Sequence, residues 1–131
     1  MIKVVVDRSH ALVNLTADGF VTDADIATGA AQLHAAIRSL GDRMGRHVTL
    51  YDLTGLRVAS PAILDTFAVF FTDPAYRAIW ARRVAFVTAS PLVTLQMERI
   101  RRDRPDMQVF AERAPAIAWL FAVPERGQAA A

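Results

Sequence analysis

Five oxygen-bearing side chains stand where a chain of alternating strands and helices would gather a ligand: Asp52, Thr54, Ser60, Thr88 and Ser90. Asp52 and Thr54 close one apolar run, His47 to Leu53, and Thr88 closes another, Val84 to Val87. In open α/β sheets ligands collect beyond the carboxyl ends of parallel strands. Ser60-Pro61 and Ser90-Pro91 each read as a helix start, serine at the N-cap and proline at the first helical position. Two such starts on one side of a sheet would aim free backbone N–H groups at one region and favour an anion. Plain capping, with Asp52 and Thr54 satisfying loop amides, accounts for the same residues. The residues alone fit both readings.

Other catalytic chemistry finds little support. The chain has no cysteine, which removes disulfides, thiolate metal sites and cysteine nucleophiles. His10, His34 and His47 are far apart and match no metal-ligand spacing. No nucleophile elbow, phosphate loop or dinucleotide fingerprint occurs, and a hydrolase acting through Ser60 or Ser90 lacks an evident histidine partner. Asp23 and Asp25 belong to a helix start. Neither an enzymatic role nor a cofactor is expected.

Two further clusters are candidates for binding. Arg99, Arg101, Arg102 and Arg104 make a basic run that suits a solvated helix end, or an RNA-binding or acidic-partner surface, though no interleaved aromatic residues offer stacking for single strands. Phe67, Phe70, Phe71, Tyr76 and Trp80 crowd one short span. Phe67 and Phe70 fit a core stripe with Ile63. Core packing is the default for such a cluster. Phe71, turned about 80° from Ile63 around the helix, makes with Tyr76 and Trp80 a surplus of rings that suggests instead a dimer interface or an apolar ligand pocket. On that reading, truncating Trp80 would leave the fold intact.

The elements that must position these groups follow from pattern. Val4–Val6 and Ala11–Thr16 predict a β-hairpin, and Asp18-Gly19 a turn. Thr22 and Asp25 form a capping box for a helix whose Ile26, Ala30, Leu33, Ile37 and Leu40 fall within about 80° of one another, with Gly41 at its C-terminal cap. The strand from His47 follows. Then come a helix from Pro61, a break at Asp73-Pro74, a short helix near Ala75–Ala81 and a strand at 84–88. A helix carries Val93, Met97 and Ile100, and a strand follows at Met107–Phe110. A last helix uses Ile117, Leu120 and Phe121 as apolar contacts. The order β-β-α-β-α-β-α-β-α predicts an α/β fold: one mixed, mostly parallel sheet of about five strands, an N-terminal hairpin and about four helices.

The 131 residues suit one domain, expected to span 1–123 with a frayed tail at 124–131. The composition, 53% hydrophobic and 21% charged, is that of a globular protein. Arginine supplies 14 of the 15 basic residues, so its high pKa lifts the pI to 9.7 while the net charge is only +2. That balance steers weakly toward nucleic acid, which is not an expected partner. No apolar run reaches membrane-span length, and Met1–Val6 lacks the features of a secretory signal. A cytoplasmic location is expected.

Asp52-Leu53-Thr54 after a buried strand and before a helix resembles the Asp-Leu-Ser/Thr loop of STAS domains. A Val84–Val87 strand, a short strand ending at Phe110 and a last helix with Ala118-Trp119-Leu120 are similar to its SpoIIAA-like branch, over roughly residues 2–122. The resemblance implies a regulatory or binding module rather than an enzyme; with the residue clusters above, a second copy, a protein partner or a small apolar or anionic ligand is the expected occupant. It also implies a phosphorylated serine at the helix start after that loop. The positions that hold Asp-Ser-Ser-Gly in such proteins hold Ser60-Pro61-Ala62-Ile63, and the acceptor slot falls on Ala62.

Overall fold

The computed structural model describes residues 1–57, 61–102 and 104–122. The expected tail lies outside them. The strands are β1 (Ile2–Asp7), β2 (Leu12–Phe20), β3 (Val48–Arg57), β4 (Arg83–Val87) and β5 (Met107–Phe110). The helices are α1 (Asp23–Arg38), α2 (Pro61–Thr72), α3 (Pro74–Arg77), α4 (Pro91–Ile100) and α5 (Arg113–Leu120). The strands form one sheet in the order β1-β2-β3-β4-β5. β1 and β2 are antiparallel, and every later pair is parallel. The expected α/β architecture is the observed one.

This order fixes where the helices lie. Each crossover advances the sheet by one strand in the same direction, so right-handed connections put α1, α2 and α4 on one face. That face holds the larger core. Alternate residues Val13, Leu15, Tyr51, Val84 and Phe86 meet Leu33 and Ile37 of α1, Phe67 and Phe71 of α2, and Val93 and Met97 of α4. The intervening residues Leu12, Val48, Leu50, Ala85 and Val87 point the other way and meet Ala116 and Leu120 of α5. α5 lies against β3, β4 and β5.

Local signals hold where chemistry is local. Thr22 Oγ1 accepts from the Asp25 N–H at 3.1 Å, and Asp25 Oδ2 accepts from the Thr22 N–H at 2.9 Å. The latter bond holds the Asp25 carboxyl below its ordinary pKa. Ser90 caps α4 with Pro91 at its first position. Four local expectations fail. Gly41 does not cap α1, whose C-cap is Ser39; it opens a short 3-10 turn, Gly41–Arg43. Asp18-Gly19 does not turn the chain; β2 runs on to Phe20, with Gly19 at φ +67°. Asp52-Leu53-Thr54 is not a loop; β3 runs on to Arg57. Phe121 is a surface residue with its ring 6.1 Å from that of His10, because α5 ends at Leu120.

Candidate functional site

The Asp-Leu-Thr motif builds an irregularity in the sheet. Thr16 pairs with Asp52 and Asp18 with Gly55, so β3 carries one residue more than β2 in this interval. Such a bulge leaves a backbone group out of the ladder. Asp52 Oδ1 accepts from the Thr54 N–H at 3.1 Å and from the Thr54 hydroxyl at 2.6 Å. The side chains thus satisfy a kinked strand. Asp52 lies on the α5 face, where Arg113 Nη1 reaches its Oδ2 at 3.8 Å and donates to Asn14 Oδ1 at 3.0 Å. Beside this network α5 leaves part of the sheet uncovered, a groove of about 290 Å³ along Val5, Leu12, Asn14 and Arg113.

Thr88 and Ser90 lie at the end of β4 and point elsewhere. Val87 pairs with Asp52 on the α5 face. Thr88 continues the ladder, its N–H donating to Phe110 O at 2.9 Å, so alternation turns its side chain to the α4 face. Thr88 Oγ1 accepts from the Ser90 N–H at 3.1 Å, and Ser90 Oγ accepts from the Val93 N–H at 3.3 Å. The expected gathering at one region is therefore not formed: the two groups are on opposite faces of the sheet. The strand order also never reverses, so it lacks the crevice that a reversal opens. Ser60 lies outside the described residues.

The aromatic segment is mostly core, which corrects the expectation of a surface. Phe71 and Tyr76 are buried, whereas Phe70 is only partly covered. Phe71 wins the inner position because it meets Tyr51, Phe86 and Trp80 edge-on at 5.3, 5.4 and 6.3 Å. The Tyr76 hydroxyl bonds that of Tyr51, and burial pushes both phenols upward in pKa. Trp80 is half-buried. Its ring lies 4.8 Å from that of Tyr76, Arg104 overlies it at 4.1 Å, and its Nε1–H donates to Asp106 Oδ2 at 2.6 Å. Its truncation would strip these partners, so an intact fold is not expected.

The structure adds a surface that the pattern did not single out. Val69 on α2 is 69% exposed, and Leu92 and Leu95 on α4 are 43% and 50% exposed. α2 and α4 pack side by side. The available signal was α2 itself, apolar nearly all round from Ile63 to Phe71, more than one buried face needs. Near the ends of these helices Arg77, Arg99 and Arg104 come together around one cleft. Among the described residues no group of three or more His, Asp or Glu is placed to hold a metal ion, and no helix is long and apolar enough to cross a membrane.

No protein-family model matches the chain, and no curated protein matches it. Among solved structures it is similar to the crystal structure of an uncharacterized protein of the DUF3478 family, with a SpoIIAA-like fold, from Shewanella loihica. The two share 21% sequence identity and a TM-score of 0.65, over 91% of this chain and 93% of the other. The likeness is one of fold, and it agrees with the resemblance carried by the sequence motifs.

Proposed function

We propose that this SpoIIAA-like fold works as a non-enzymatic protein-interaction module whose contact surface is the outer side of α2 and α4. One observation carries the reading: Val69, Leu92 and Leu95 stand in water on two adjoining helices. Scattered single apolar residues are ordinary, but several on neighbouring helices mark a surface made to be covered. Arg99 and Arg102 border Leu95, beside an Arg101 that pairs with Glu98 at 3.0 Å, so an acidic rim on the partner would complement the apolar contact.

The strand ends support the same reading. Ser90 Oγ is engaged as a cap. His47 precedes β3 at the amino end of the parallel strands, whereas Ser90 follows β4 at the carboxyl end. That separation does not suit a serine–histidine pair. Ala62, at the second position of α2, has no hydroxyl, so partner choice on this reading does not depend on phosphate there. A cysteine-free chain of this kind fits a cytoplasmic setting.

The test is a Val69→Asp/Leu95→Asp double variant compared with wild type. Exposed positions change stability by only about 0.5 kcal/mol each, so the melts should nearly coincide. Affinity capture from the host and sizing chromatography should show a partner, or a second copy, that binds wild type and is lost from the variant. A monomeric wild type whose captured proteins all persist on the variant would refute the proposal.

A further inference from the structure

We propose that the cleft between α2, α3 and α4 binds a small organic anion, a phosphate or carboxylate carried on an apolar or aromatic body. The cleft encloses about 320 Å³, within the range of small-molecule pockets of about 300–1,000 Å³. Ala68, Phe71 and Ile100 give it an apolar floor; Arg77, Arg99 and Arg104 stand around it. These cations come from α3, from α4 and from the segment after α4, so the tertiary structure brings them together. Among the described residues no carboxylate lines the cleft.

Arg104 is set in advance. Its guanidinium lies 4.1 Å from the Trp80 ring centroid, and its Nε is 3.9 Å from Asp106 Oδ1. Asp106 is itself held by the Trp80 indole N–H at 2.6 Å. The ring covers one side of the fork and the carboxylate stands near its Nε, and among the described residues no hydrogen bond occupies its terminal nitrogens. A held guanidinium loses little freedom on meeting an anion, and its shape suits two oxygens of one phosphate or carboxylate.

The helix dipole explains why Arg77 and Arg99 occupy last turns. It does not explain their convergence with Arg104 over an apolar floor. A single-stranded nucleic acid would need open rings for its bases. Phe71 is buried and Arg104 overlies Trp80, so a compact ligand fits better.

The chain has two tryptophans, Trp80 and Trp119. In a Trp119→Phe background, emission reports on Trp80 and the guanidinium stacked on it. Titration with phenyl phosphate at low salt should give a saturable change with a Kd below about 1 mM. Calorimetry on the unaltered chain should give the same constant. Arg77→Gln/Arg99→Gln should weaken binding by about tenfold or more with an unchanged melt, since hydrogen bonds to charged groups dominate such contacts. Arg113→Gln, on the other face, should have no effect. Inorganic phosphate should bind about tenfold more weakly, lacking the apolar contact, and phenol should not saturate. No saturation by about 10 mM in either assay, or equal affinity in the Arg77/Arg99 variant, would overturn the site. Equal affinity for inorganic phosphate would overturn the apolar half of the proposal. Arg99 borders both the cleft and the Leu95 surface, so that surface is judged by the Val69/Leu95 variant and its partner capture, which these titrations do not read.

Discussion

At the scale of single residues, polar groups at the strand ends are occupied in holding the backbone. Asp52 and Thr54 were legible as a pair with a purpose, but their spacing does not say whether it is a ligand or a bulge. The answer lies in the pairing of β3 with β2, which leaves one extra residue for Asp52 to satisfy. His47 is the titratable residue with the clearest consequence. It is buried, its Nδ1 accepts from the Gly45 N–H at 3.1 Å, and its Nε2 has no hydrogen-bond partner among the described residues. Burial lowers its pKa to about 4. In the unfolded chain a histidine titrates near 6.5, so above that pH both states are neutral and the group is silent. As pH falls from about 6.5 to about 4, the unfolded state takes up the proton first and stability drops, by up to about 3 kcal/mol for such a shift. Urea melts of wild type and His47→Gln at several pH values in this window should show a shallower slope in the variant. Parallel slopes would mean that His47 is not held neutral by the fold.

At the scale of elements, helix starts and stripes were legible because their causes lie within a few residues. Thr22 and Asp25 close a capping box across one turn, and Ile26, Leu33 and Ile37 are all buried in α1. Ile37 is fully inaccessible. A carboxylate there would have no partner, so Ile37→Asp should cost more than about 4 kcal/mol and abolish a cooperative melt. Circular dichroism against temperature checks this; a melt within a degree or two of wild type would contradict the packing of α1. α2 was less legible. Period alone put Phe70 inside and Phe71 at the edge. A helix with apolar residues nearly all round has no single inner face until neighbours choose one. Tyr51, Phe86 and Trp80 choose Phe71.

At the scale of the whole molecule, α5 decides the second face. Without it Leu12, Val48, Leu50, Ala85 and Val87 would be exposed together. Leu120 is fully buried against them, so Leu120→Ala should cost about 2–5 kcal/mol, read from the midpoint of a urea melt. A loss below about 1 kcal/mol would mean that α5 docks loosely. The element order, the parallel sheet with its leading hairpin, the α1 stripe and the Ser90 cap could be stated from the residues alone. Each follows from a period of 2 or 3.6 or from a bond across one turn. What only the tertiary structure decided is which groups share a surface. It turned Asp52 and Thr88 to opposite faces, drew Phe71 and Tyr76 inward, and gathered Arg77, Arg99 and Arg104 around one cleft. Periodicity sets the angle of a side chain about its own element but not the neighbour it meets. That neighbour depends on strand register and on the path of each crossover, which accumulate over many residues and are settled only when the layers pack.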